Sequence, residues 1–67
     1  MNEKLKLIGA AELAEILGIS LASLYRRRSL GDALPPAVRI GSLIRWRVED
    51  IEEYLAANLE TSPERGL

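Results

Sequence analysis

Between Ala14 and Arg47 the chain has few shapes open to it. It runs Ala14-x-x-x-Gly18-Ile19-Ser20, then Leu24-Tyr25-Arg26-Arg27-Arg28, then Pro35-Pro36-Ala37-Val38-Arg39-Ile40-Gly41, then Ile44-Arg45-Trp46-Arg47. Leu13, Ile16 and Leu17 recur at helical spacing, with Ala10 and Ala14 as close-packing partners, so a first helix starts after Gly9. Glu12 falls at its third position, where a carboxylate can satisfy orphan amides. Ile8 and Leu13 are spaced as a hydrophobic staple. Gly18 ends this helix as a left-handed cap. Ser20 caps a second helix, Ile19 and Leu24 form its staple, and it runs to about Leu30 before Gly31 stops it. Pro35-Pro36 then forces extended backbone.

A short basic hairpin comes after the prolines. A two-residue turn at Gly41-Ser42 would pair Val38 with Arg45 and Arg39 with Ile44, mixing apolar and charged residues on both faces. A three-residue loop, Gly41-Ser42-Leu43, pairs Ile40 with Ile44, Arg39 with Arg45 and Val38 with Trp46. The second register sorts apolar from basic residues onto opposite faces and is the one expected. It puts Arg39, Arg45 and Arg47 on one face, with Arg39 and Arg45 as repelling neighbours, and turns Trp46 into the core. A third helix covers roughly Glu49 to Leu59, with Ile51, Tyr54, Leu55 and Leu59 as its buried stripe. Glu49, Asp50 and Glu52 crowd its first turn, where the helix dipole favours negative charge. Met1 to Lys6 reads as a short tail or an added strand, and the chain beyond Leu59 as a loose tail.

Sixty-seven residues make one small domain, with its core over 7–59 and tails at 1–6 and 60–67. Such a chain buries only about 60 % of its unfolded surface, so its stability is marginal. With no Cys and no His, disulfides, thiolate or imidazole metal sites, and Cys or His catalysis are excluded. No apolar run approaches the ~20 residues of a membrane span, and Met1 to Ile8 is too short for a signal peptide. The expected setting is a reducing cytoplasm.

The net charge of −1 conceals a strong polarisation. Residues 20–47 hold Arg26, Arg27, Arg28, Arg39, Arg45 and Arg47 against Asp32 alone. Residues 48–67 hold Glu49, Asp50, Glu52, Glu53, Glu60 and Glu64 against Arg65. Phosphates respond to a local field that decays over about 8 Å, so a polarised molecule can bind nucleic acid while acidic overall.

From about Leu7 to Ala57, roughly three quarters of the chain, the sequence resembles the AlpA/excisionase-type family of small phage and prophage regulators, related to the winged-helix part of MerR proteins. The resemblance lies in Ala11-Glu12-Leu13-Ala14-Glu15-Ile16-Leu17-Gly18-Ile19-Ser20, Leu24-Tyr25-Arg26, Leu34-Pro35, Val38-Arg39-Ile40-Gly41, Arg45-Trp46, Asp50-Ile51 and Tyr54-Leu55. It implies an α+β, mostly α, winged helix-turn-helix: three helices, with a two-stranded hairpin wing between the second and third. It further implies double-stranded DNA binding without catalysis or cofactor. Family members act as transcriptional regulators of mobile elements, or as excisionases that bend attachment-site DNA and steer an integrase. A bacterial or phage-encoded, nucleoid-associated protein is implied by that resemblance. Three positions depart from the family pattern. Arg27 stands where such helices place an apolar residue facing the first helix, one residue is inserted between Gly31 and Pro35, and Val48 replaces a capping Ser or Thr.

Helix-turn-helix geometry turns Ser20, Leu21, Ala22, Tyr25, Arg26 and Ser29 of the second helix toward a major groove. Arg26 has two readings of equal weight, bidentate contact with a guanine edge or contact with a phosphate, beside a third in which it pairs with an acidic residue of the third helix. Leu21 and Ala22 suit thymine methyls or are plain helix surface. Tyr25 reaches a phosphate through its hydroxyl or packs under the hairpin. Arg27 and Arg28 cannot share the face of Arg26, since successive residues turn by ~100°, so they are assigned to flanking backbone. Arg39, Ser42, Arg45 and Arg47 form the wing's contact with phosphates or the minor groove. One such module buries only ~600–1,000 Å² on DNA, so weak binding by a single copy and cooperative self-association at repeated sites are expected. The sequence holds no nucleophile–base pair and no Gly-rich phosphate loop, which argues against an enzyme. The rival reading is a protein-interaction module that inhibits another regulator or recombinase through the acidic third helix.

Overall fold

A computed structural model describes residues 6–60 of the 67. Of the tails assigned to 1–6 and 60–67, residues 1–5 and 61–67 lie outside the described residues. The order of elements is β1 (Leu7–Ile8), α1 (Ala10–Leu17), α2 (Leu21–Leu30), β2 (Ala37–Ile40), β3 (Leu43–Arg47) and α3 (Val48–Ala57). The fold is therefore mostly helical, with the wing between α2 and α3, as a winged helix-turn-helix requires.

The helix ends lie where local chemistry puts them. Gly18 and Gly31 both adopt left-handed backbone, φ 73° and 78°. Each closes its helix with two amide-to-carbonyl bonds: Gly18 to Glu15 and Ile19 to Ala14 after α1, Gly31 to Arg28 and Asp32 to Arg27 after α2. Ser20 Oγ accepts the Ser23 amide at 3.0 Å, a cap typically worth about 1 kcal/mol. Glu12, by contrast, is exposed and makes no capping bond.

The sheet differs from expectation in two ways. It is three-stranded, in the order β1-β3-β2, because Leu7–Ile8 pairs antiparallel with Arg47 and Trp46. The hairpin register is also the two-residue one: Ala37 opposes Trp46, Val38 opposes Arg45, Arg39 opposes Ile44 and Ile40 opposes Leu43. The expected three-residue loop is thus corrected. Gly41 has φ 61° and no non-glycine residue among the described ones has positive φ, the pattern of a type II′ turn, whose twist matches the strands it joins. Sorting of faces carries little weight at this end of the hairpin, where Ile40 and Leu43 stand beyond the core and exposed. Turn geometry decides instead.

The observed register also serves the core. Trp46 is 1 % exposed and stands between Ile8 on one side and the small Ala37 on the other. Its indole Nε1 donates to the Pro35 carbonyl at 3.1 Å, which anchors the loop entering β2. Ile8, Leu13, Ala14, Leu24, Trp46 and Ile51 form one buried cluster drawn from all three helices and two strands. Ala14 is the small residue that lets α1 and α2 close up. Both staple pairs join the core: Ile8, Leu13 and Leu24 are buried in one cluster, and Ile19 packs against that cluster.

Three expected core positions are corrected. Ile16 is 48 % exposed, Leu55 44 % and Leu59 69 %. Of the expected α3 stripe only Ile51 is buried, with Tyr54 half-buried. α3 packs chiefly on β3, and a helix held along one narrow line buries a narrow stripe. It begins at Val48 with Arg47 as its N-cap and no side-chain capping bond. The Val48 amide instead donates to the Lys6 carbonyl at 3.1 Å.

Candidate nucleic-acid interface

The rotation of α2 is set by Leu24, which is fully buried. At ~100° per residue, Ala22, Arg26 and Ser29 then point away from the core, and all three are exposed. Leu21 and Tyr25 turn to one side, where they face the wing across an open cleft. Arg27 turns to the other side, into a groove with Leu17, Ile19, Leu34, Tyr54 and Leu55. Arg28 is exposed on the Leu21 side of the helix. The arginine triplet is therefore splayed over three directions.

The cleft beside the wing is built from three elements. Gly9, Ala10 and Ala11 begin α1, Leu21 and Tyr25 come from α2, and Ser42 to Trp46 come from the hairpin. Tyr25 is 53 % exposed, so it lines this cleft and is not packed beneath the hairpin. Arg45 is half-buried here; its Nη1 donates to the Ile44 carbonyl at 2.8 Å. The guanidinium carbon lies 3.9 Å from the point a Cβ on residue 9 would occupy, an ordinary contact distance, so Arg45 reaches back over the start of α1. On the opposite flank of α2, Ser20, Ala22, Ser23 and Arg26 border a shallow depression.

The basic face of the wing is divided. With the two-residue turn, Arg45 and Arg47 share one face with Val38, while Arg39 shares the other with Ile44 and Trp46. The expected single face of three arginines is thus corrected, and the direct repulsion of Arg39 and Arg45 disappears with it. Arg47 is occupied. Its Nε and Nη2 donate to the two carboxylate oxygens of Asp50 at 2.6 and 2.7 Å. The two hydrogen bonds and the opposite charge hold the Asp50 carboxyl below the usual carboxylate range and raise the Arg47 guanidinium. Arg26, Arg27, Arg28 and Arg39 are exposed and have no acidic partner among the described residues. Among the described residues, Arg45 has its own neighbour's carbonyl as its hydrogen-bond partner.

Every residue expected at the interface has a definite place. Ala22, Arg26 and Ser29 share the outward face of α2, with Ser20 at its cap. Leu21, Tyr25, Ser42 and Arg45 share the cleft. Arg28 lies beside that cleft, whereas Arg27, Arg39 and Arg47 each point elsewhere. Sequence reasoning missed Ser23, three residues before Arg26 and so on its flank of the helix, and this spacing could have found it. It also missed Gly9 to Ala11 and Leu43. Only the long-range approach of α1 to the hairpin brings those to the cleft, and no local signal marks it.

Among the described residues, no helix is long and apolar enough to cross a membrane. No curated protein and no solved structure matches the chain. Residues 7–59 match the family model of a helix-turn-helix domain. That span takes in α1, the Gly18-Ile19-Ser20 turn, α2, the three-stranded sheet and α3, and the chain accordingly belongs to the helix-turn-helix domain family of AlpA/excisionase type.

Proposed function

We propose that this chain binds double-stranded DNA sequence-specifically, without catalysis, as a regulator or excisionase of the phage type. α2 enters the major groove with Ala22, Arg26 and Ser29 toward base edges. Arg45 and Ser42 hold the backbone beside it, and Arg28 and Tyr25 face the flanking phosphates. The observation that carries the reading is the outward face of α2. It presents a guanidinium with no acidic partner among the described residues, flanked by small side chains that leave room for a base edge. The helix-turn-helix family supports DNA as the partner. The finer reading, regulator or excisionase with a recombinase as partner in the bacterial cytoplasm, rests on the resemblance alone.

The test is a titration of the chain on a pool of random duplexes at two salt concentrations. Enrichment of a motif, with affinity falling steeply as salt rises, supports the reading. No binding at low salt refutes it, and the exposed Glu52 and Glu53 of α3 then become the surface to test against a recombinase or another regulator. Addition of the recombinase separates the finer alternatives, because only an excisionase changes the direction of recombination.

A further inference from the structure

We infer that the cleft between α2 and the wing takes the 5-methyl group of a thymine, so that Leu21 selects a T·A pair at that point of the binding site. The inference rests on the DNA reading above and names a base that it leaves open.

Large apolar side chains left in water converge on this cleft from two elements. Leu21 is 41 % exposed, Tyr25 53 % and Leu43 51 %, and all three line it. Leu21 and Tyr25 stand four residues apart on one side of α2, and Leu43 joins them from the start of β3. With Ala10 and Ala11 at the start of α1, they make the lining more apolar than polar. The one charged group on the cleft is the Arg45 guanidinium, which has no acidic partner among the described residues.

A ligand suited to this composition carries an apolar group close to an anion. On the base edges of a major groove the thymine 5-methyl is the one apolar group, and every base hangs from a phosphodiester strand. Leu21 is the first residue of α2, and a helix docked in a major groove meets base edges with its N-terminal residues. It is also next in sequence to Ala22 of the outward face. With α2 so placed, the phosphate strand passes Arg45 and the methyl enters beside Leu21, the Tyr25 ring and Leu43. Cytosine presents an amino donor and no methyl, and leaves these side chains in water.

The test titrates the full chain on the duplex enriched from the random pool, at one salt concentration. Each thymine is replaced in turn by deoxyuridine, which keeps every hydrogen bond of the base and loses only the methyl. The expected result for the wild type is a loss of about fourfold at the thymine in the cleft, the effect of burying one methyl group. With Leu21→Ala, the thymine and deoxyuridine duplexes bind alike at that position. Arg45→Ala weakens both and keeps their ratio. Circular dichroism checks each fold, and Leu43→Ala, which alters the cleft from the wing side, decides the matter if Leu21→Ala fails to fold. A duplex indifferent to every replacement overturns the inference and leaves DNA binding standing. So does a set of methyl effects that the folded cleft variant leaves undiminished. Binding to no duplex overturns the DNA reading and this inference with it.

Discussion

The arginines of α2 and those of the wing carry the same charge and meet different neighbours. On α2, Arg26, Arg27 and Arg28 are consecutive in sequence and diverge in space, none with an acidic partner among the described residues. In the wing, Arg45 is folded back on the Ile44 carbonyl and Arg47 is clamped by Asp50. A helix spreads consecutive side chains around its axis, whereas a strand end delivers its side chains against the next element of the chain. For Arg47 that element is the acidic first turn of α3. The count of basic residues in a segment therefore overstates what it can offer a phosphate. Of the six arginines between residues 20 and 47, Arg47 is held in an ion pair among the described residues and Arg45 is turned back on a backbone carbonyl.

The comparison breaks most visibly if the wing loses its post. Trp46→Ala removes the largest buried side chain and the bond to Pro35, a change that typically costs about 3–5 kcal/mol. In a 67-residue chain that is a large part of the total stability. The expected outcome is loss of the cooperative thermal transition, monitored by circular dichroism. Retention of a transition near the wild-type Tm would mean that α1 and α2 stand without the wing.

A smaller effect separates the two arginine sets directly. Arg26→Ala is expected to cost about 1–3 kcal/mol of binding and to relax preference at one base pair, with Tm unchanged. Arg45→Ala is expected to weaken binding several-fold on all sequences alike and to lower the salt slope by about 0.9, the signature of one lost phosphate contact. If Arg26→Ala also leaves preference untouched, α2 holds the backbone and base readout lies elsewhere.

The smallest effect concerns Arg47. Because the fold depresses the Asp50 carboxyl, the stabilisation from this pair is fully present above the ordinary carboxylate range near pH 4. It is lost as pH falls through that range toward the lower folded value. Asp50→Asn should therefore lower Tm modestly at neutral pH and flatten its decline in acid. An unchanged acid limb would show that the pair contributes nothing to stability, and would return Arg47 to the set available for DNA.

Most of the helical framework was legible because its signals are local. Gly18, Ser20 and Gly31 each act on amides within one turn of the chain, and the structure ends its helices on them. Ala22, Arg26 and Ser29 could be assigned to one outward face because Leu24 sets the rotation of α2. The wing was misread because its register depends on a competition between turn geometry and face sorting. Sequence pattern weighs only the second. Ile16 and Leu55 were misread for a related reason. Helical spacing identifies an apolar stripe, and how much of that stripe is covered depends on how closely the neighbouring elements approach.

By itself, then, the sequence determined the ends of α1 and α2, the polarised charge and the basic outward face of α2; α3, expected over Glu49 to Leu59, runs instead from Val48 to Ala57. Backbone conformation at a cap and the order of charges along the chain need no distant partner. Tertiary structure alone decided the third strand, the type II′ register, the Arg47–Asp50 pair and the cleft between Gly9 and Arg45. Each of those joins segments that meet only after the core around Trp46 has closed, and their energies depend on distances that no local pattern encodes.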